Sequence, residues 1–196
     1  MLTLETSRLR LRGWKQSDLD DLYEYAKDER VGPSAGWPAH PNKEMSQKIL
    51  DSFIQDGDVY AIVLKDQDKV IGSIGLHNRT PDESLTHLKQ AEIGYVLNPD
   101  YWGQGYMPEA VNAVLEDGFK NLGLDLIWCG YYDFNTNSKR VVEKSGFKYQ
   151  FTKPKILTLL DNRVVDQLFY SFSKEDYLNI ERQTILKVNP KWNIFD

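Results

Sequence analysis

The two glycines of Gly103-Gln104-Gly105 stand between an apolar strand-like run and the start of a helix, a place from which backbone amides can hold a phosphate. Glycine takes positive φ without strain and lets a ligand approach the main chain, while the first N–H groups of the following helix have no partner of their own. Those amides suit a pyrophosphate. Three loop types compete for this spacing. A Walker loop needs Gly-Lys-Ser/Thr after four residues, which Tyr106-Met107-Pro108 does not supply, and a dinucleotide fingerprint needs a third glycine where Pro108 stands. The third is a two-glycine turn without a ligand, the usual meaning of an isolated Gly-x-Gly.

Other side chains near this turn could move protons. Glu92 lies on the strand that enters the turn and is a candidate general base; the competing explanation is a solvent-facing strand glutamate. Ser138, in Asn135-Thr136-Asn137-Ser138, is a candidate acid or hydrogen-bond donor, and equally a helix cap. His77 and His87 have the chemistry of a base but sit in or beside a polar loop, where imidazoles are ordinarily solvated. His40 is far from both in sequence and Cys129 is the single cysteine, so no metal-ligand spacing appears and none is assigned. Cys129 lies in an apolar run as a small core residue and cannot form an internal disulfide.

The elements that must position these groups follow from periodicity. Leu9 and Leu11 alternate with arginines, giving a first strand. Ser17 is placed to cap a helix with Leu19, Leu22, Tyr23 and Ala26 on its apolar stripe. A Gly/Pro loop containing Trp37 leads to a second helix, capped by Asn42 and carrying Met45, Ile49, Phe53 and Ile54. Val59 to Leu64 and Val70 to Leu76 form a hairpin across a polar turn, and Ala91 to Leu97 form the next strand. After the turn, Val111, Val114, Leu115, Gly118, Phe119 and Leu122 mark one buried helix face. Leu126 to Tyr131 is an unbroken apolar run, suited to a strand parallel to its predecessor through a right-handed crossover. A helix from Thr136 to Ser145 ends at Gly146, with Phe147 beyond it as in a glycine cap. Two alternating strands, around 147–151 and 167–172, complete a mixed sheet.

The chain has 196 residues, 41% hydrophobic and 27% charged, which suits one domain with a core on both faces of a sheet. Its net charge of -5 is matched by the acidic excess of residues 51–100 alone, which argues against a nucleic-acid surface. Residues 1–30 lack the pattern of a signal peptide and no apolar run reaches the length of a membrane span, so the expected location is cytoplasmic, with no membrane partner.

Taken together, Thr6-Ser7-Arg8-Leu9-Arg10-Leu11-Arg12, Glu92-Ile93-Gly94-Tyr95, Tyr101-Trp102-Gly103-Gln104-Gly105-Tyr106 and the segment from Asn135 to Phe147 resemble the GNAT superfamily of acetyl-CoA-dependent N-acetyltransferases, over about residues 6–173. The resemblance is closest to the branch that contains ribosomal-protein N-terminal acetyltransferases. It implies an α+β (mixed α/β) fold: a central mixed, mostly antiparallel sheet with a splayed parallel strand pair and flanking helices. The domain would cover residues 1–178, followed by a weakly patterned tail, 179–196. It further implies acetyl-CoA as co-substrate, held by Val96, Leu97, Trp102, Gly103, Gln104, Gly105, Tyr106, Met107, Asn135 and Ser138. An amide near Val96 would serve the oxyanion. Glu92 and Ser138 would be catalytic, and Trp37 would line the acceptor site. The implied acceptor is a primary amine, foremost a protein N-terminal α-amine and next a polyamine or aminoglycoside; a homodimer is compatible. Three positions depart from the family pattern: Trp102 replaces Gln/Arg, Met107 replaces a small residue, and Val142 stands where a tyrosine acid is frequent. The last two motivate an alternative, a domain that binds or senses acyl-CoA without catalysis.

Overall fold

The computed structural model describes residues 1–188. Its strands are β1 (Leu4–Glu5), β2 (Leu9–Arg12), β3 (Val59–Leu64), β4 (Lys69–His77), β5 (Gln90–Leu97), β6 (Leu126–Tyr132), β7 (Lys148–Ile156) and β8 (Val164–Ser173). They form one sheet in the order β1-β2-β3-β4-β5-β6-β8-β7. Every neighbouring pair is antiparallel except β5 and β6, which run parallel. The helices are α1 (Leu19–Ala26), α2 (Gly32–Ala35), α3 (Lys43–Asp56), α4 (Tyr106–Lys120), α5 (Thr136–Lys144) and α6 (Lys174–Val188). This is the expected mixed α+β sheet with flanking helices.

Alternation along the strands divides the core between two faces. On one, Leu9, Leu11, Ile62, Ile93 and Ile127 pack with Val111, Val114, Leu115 and Phe119 of α4. On the other, Ala61, Val63 and Val70 pack with Leu22, Tyr25 and Ala26 of α1 and Leu50 of α3. Each large aliphatic side chain buried this way contributes about 1.5–3 kcal/mol before the entropy of ordering it.

One feature of the sheet positions the site. The β5–β6 pairing runs from Gln90 opposite Leu126 to Ile93 opposite Cys129 and then stops. Beyond it β5 stays in register with β4, from Leu97 opposite Gly72 to Gly94 opposite Gly75. β6 meanwhile follows β8, through Tyr132 opposite Gln167. The parallel strands therefore part after four residue pairs, each loyal to its antiparallel neighbour.

Several local expectations are corrected. Ser17 does not cap α1; it is exposed within a short 3-10 turn, Gln16–Asp18, and α1 starts without a side-chain cap. The adjacent Asp18 is buried instead, accepting from Arg12 Nη1 and Nη2 at 2.7 and 2.9 Å and from the Lys15 amide at 2.8 Å. Leu122 is 46% exposed because α4 has already ended and the chain turns at Gly123, whose φ is 64°. Met45 and Ile54 of α3 are also exposed rather than in the core. The alternation of Phe147, Tyr149 and Phe151 is interrupted by a register shift between Tyr149 and Phe151. Part of the weakly patterned C-terminal segment is helix α6, where Tyr177 stacks on Phe119 at 5.3 Å and Glu181 pairs with Lys120 at 2.6 Å. Residues 189–196 of the expected tail lie outside the described residues.

Candidate active site

The glycine turn is built as a cradle of amides. Gly103 and Gly105 have φ of 76° and 80°, the left-handed region that excludes most side chains, and Gly105 is the N-cap of α4. Among the described residues, no turn or capping bond uses the N–H groups of Gly103, Gln104, Gly105, Tyr106 or Met107. A Cβ at Gly103 would meet nothing within 4 Å, so the space above the turn is open to a ligand. The Met107 side chain points away into the core, 4% exposed, which accommodates its bulk beside a phosphate-sized group.

The turn is anchored by the first residues of the chain. Glu109, in the first turn of α4, accepts from Thr6 Oγ1 at 2.6 Å, the Arg8 amide at 2.9 Å, Arg8 Nε at 2.7 Å and Ser7 Oγ at 3.1 Å. Burial alone would raise the Glu109 carboxyl; the donors from Thr6, Arg8 and Ser7 outweigh it and hold the group below its ordinary value. Arg8 also donates to the Gln104 carbonyl at 3.0 Å. The Thr6-Ser7-Arg8 segment thus clamps the helix start.

A cavity of about 740 Å³ opens from this turn, a size suited to an extended small-molecule ligand. Val96, Leu97, Trp102, Gly103, Gly105, Tyr106, Met107, Asn135 and Ser138 line it, together with the cations Arg30, Arg140 and Lys144. Arg30 is paired with Asp28 at 2.6 Å, whereas among the described residues Arg140 and Lys144 have no carboxylate within 4 Å. Free amides, open glycines and two unpaired cations fit a phosphorylated carrier. Gln104 is not in the lining; its side chain donates to the Asp100 carbonyl at 3.1 Å. Trp102 donates its indole N–H to the Leu97 carbonyl at 2.8 Å, so that carbonyl is already engaged.

A second cavity, about 630 Å³, lies across the split and contains Glu92, Trp37, His40, His77 and Arg79. Ser34, Ala35, Tyr95, Val96, Asn135 and Ser138 line both spaces, which therefore meet at the point where β5 and β6 part. Asn135 caps α5 by accepting from the Ser138 amide at 3.0 Å and donates to the Ser34 carbonyl at 2.9 Å, tying α2 to α5. Because Asn135 is the cap, the Ser138 hydroxyl is left for other work. It lies 2.9 Å from the Tyr95 hydroxyl, which is also 3.9 Å from Cys129 Sγ. Burial raises Tyr95 well above its ordinary value and pushes the Cys129 thiol up to about 12, so both stay protonated.

Glu92 is 8% exposed, not solvent-facing. Burial raises its carboxyl above the ordinary value, opposed by Arg79, whose Nη1 is 3.5 Å from Oε2. Room for the carboxylate comes from Gly130, where a Cβ would stand 3.0 Å from Oε1. His77 ends β4 opposite Glu92 and is partly buried; burial and Arg79 lower its imidazole while Asp58 opposes them. His40 is buried, 2.7 Å from Ser46 Oγ, and burial lowers it as well. His87 is exposed, as a loop histidine is expected to be. Sequence reasoning missed Tyr95, His40 and Arg79. Strand alternation puts Tyr95 on the face opposite Glu92, but its pairing with Ser138 spans 43 residues and is a product of the fold.

A cleft of free amides and unpaired cations that runs through a split sheet into a second cavity holding a buried carboxylate is the arrangement of an N-acetyltransferase. Residues 8–148 match the acetyltransferase (GNAT) domain family, and the chain belongs to that family. It is 29% identical over 187 residues to p20, an uncharacterized N-acetyltransferase of Bacillus licheniformis, covering 90% of this chain and 99% of that protein. A GNAT family acetyltransferase from Bacillus anthracis has the same fold with a TM-score of 0.78 at 25% identity, covering 89% of this chain and 99% of that one. Spermidine N-acetyltransferase from Vibrio cholerae, solved with CoA and spermine, shares the fold at a TM-score of 0.72 and 18% identity, covering 88% and 99%.

Proposed function

We propose that the protein transfers an acetyl group from acetyl-CoA to a primary amine by direct attack, with the larger cavity as the donor end and the smaller as the acceptor end. Acetyl-CoA would supply a thioester carbonyl and a thiolate leaving group, its pyrophosphate on the amides of Gly103 to Met107 and its remaining phosphate near Arg140 and Lys144. Glu92 takes the proton that the amine loses as the C–N bond forms, directly or through a water. Ser138 delivers a proton to the sulfur as the C–S bond breaks and is resupplied through Tyr95, the work a tyrosine at position 142 would otherwise do. The walls around Tyr95 and Val96 bring amine and thioester together, which removes the entropic cost of their encounter.

The observation that carries this reading is the meeting of the two cavities at Tyr95 and Ser138, with a buried carboxylate on the acceptor side only. Among acceptors we favour a protein N-terminal α-amine over a polyamine or aminoglycoside. The acceptor cavity reaches the surface at Leu159, which is 68% exposed, so the end of a long chain can enter while the rest stays outside.

The test is release of free CoA when the protein is mixed with acetyl-CoA and a panel of peptides, ribosomal proteins, polyamines and aminoglycosides. Glu92→Gln is expected to lower kcat by 10²-fold or more, in the range of general-base contributions, with acetyl-CoA affinity unchanged. Tight acetyl-CoA binding with no turnover on any amine would instead establish a domain that binds without catalysis.

A further inference from the structure

The acceptor cavity has an unusual balance of charge for a site that takes an amine. Its charged lining residues are Glu92 and Arg79, and these are 3.5 Å apart, so the wall carries no net charge. His40 and His77, which also line it, are both lowered by burial, which disfavours a positive charge on either, although Asp58 opposes this at His77. Uncharged polar groups, among them Ser73, Asn135, Ser138 and Gln167, line part of the remaining wall; the rest is apolar, and Met45, Ile49 and Phe53 of α3 supply one side of it. Met45, Ile49 and Phe53 recur every fourth residue, as a buried stripe should, yet Met45 is 39% exposed and all three line the cavity. The stripe on that helix is therefore covered only in part by the protein's own core. Trp37 and Val59 extend the same apolar surface, and Leu159 stands at its rim.

From this we infer that the acceptor is a singly charged primary amine joined closely to an aromatic or branched aliphatic group, which seats against Met45, Ile49 and Phe53. The inference rests on the proposed amine acetylation and narrows its substrate class. The amine reaches Glu92, the single acid of the lining, and gives up its proton there. A polyamine with a further ammonium group held against Ile49 or Phe53 would lose water there, and no second carboxylate of the lining replaces it. The chemistry is shared by a free amine of this kind and by a peptide whose first residue is bulky and apolar.

The experiment compares kcat/KM at saturating acetyl-CoA for 2-phenylethylamine, spermidine, a peptide beginning with Phe and the same peptide beginning with Ser. The expected result is a preference of about 10-fold or more for 2-phenylethylamine over spermidine and for the Phe peptide over the Ser peptide, the scale at which apolar pockets discriminate. The ratio between 2-phenylethylamine and the Phe peptide identifies the source as small molecule or protein. Met45→Glu, at a position exposed enough to tolerate it, adds a carboxylate to the wall and is expected to move the 2-phenylethylamine to spermidine ratio at least 10-fold toward spermidine. Equal or better use of spermidine, or of the Ser peptide, by the unaltered protein would overturn the inference and leave amine acetylation standing. No transfer to any of the four, with acetylation of another amine of the wider panel, would overturn the inference alone; binding of acetyl-CoA with no transfer to any amine would overturn both.

Discussion

If Glu92 is the base, burial raises its titration and Arg79 opposes that rise, and the opposition can be measured. The two groups are 3.5 Å apart. At that separation a pair of unit charges interacts by about 1 kcal/mol in water and about 5 kcal/mol at an effective dielectric of ~20. Arg79 keeps 66% of its side chain in solvent, so the lower figure governs. One pKa unit is worth about 1.4 kcal/mol, so Arg79→Gln is expected to raise the Glu92 pKa by about 0.5–1 unit. The sign follows from the chemistry. A base acts when deprotonated, so kcat/KM rises with pH through the Glu92 pKa, and a higher pKa moves that rising limb to higher pH. The assay is the pH profile of kcat/KM for one accepted amine at fixed acetyl-CoA. Because the amine is the same for both proteins, its own ionisation cancels in the comparison. At about 1 M salt the Debye length falls to roughly 3 Å, and the gap between the two profiles should shrink. A limb that stays in place or moves down in Arg79→Gln, or that persists unchanged in Glu92→Gln, would refute the assignment.

Three further outcomes are expected. Tyr95→Phe and Ser138→Ala should each lower kcat with little change in acetyl-CoA affinity, and their effects should fall short of additive by about 1 kcal/mol because they share one 2.9 Å hydrogen bond. Gly105→Ala should cost about 1 kcal/mol of stability from its φ of 80°, seen as a lower urea midpoint, since the nearest atom to its new Cβ is 3.5 Å away and space is not the obstacle. Asp18→Ala should cost about 2 kcal/mol in the same measurement by leaving the partly buried Arg12 guanidinium without its carboxylate, with, among the described residues, only the Gly13 carbonyl remaining.

Much of this architecture is legible in the sequence where a local rule fixes the outcome. Asn42 caps α3 by accepting from Met45 N, as its position before an apolar period predicts. Gly146 takes φ of 79°, and the bonds from Gly146 to Glu143 and from Phe147 to Val142 close the end of α5 as a glycine cap should. The apolar run at 126–131 becomes the parallel strand. Expectations failed where a distant partner outbid the local one. Ser17 and Asp18 are both good caps by type, and Asp18 is drawn into an ion pair with Arg12 on a neighbouring strand. Met45 has the spacing of a core residue but faces a cavity that only the packed fold encloses. The same holds for the site. Its turn and its Asn135 helix are written in local spacing, whereas the contact of Tyr95 with Ser138, and of Arg79 with Glu92, exists only once three separate segments are assembled.

The divergence of β5 from β6 also makes the sheet a jointed object. Strands β1 to β5 form one panel and β6, β8 and β7 another, and the four residue pairs from Gln90–Leu126 to Ile93–Cys129 are the strand pairing that joins them. The angle between the panels at that short joint sets how far apart the two walls of the cleft stand. A side chain that altered the twist there, at Ala91 or Ile127 for instance, would change the width of both cavities while touching neither reactant. Cleft geometry in this protein is thus a property of the seam.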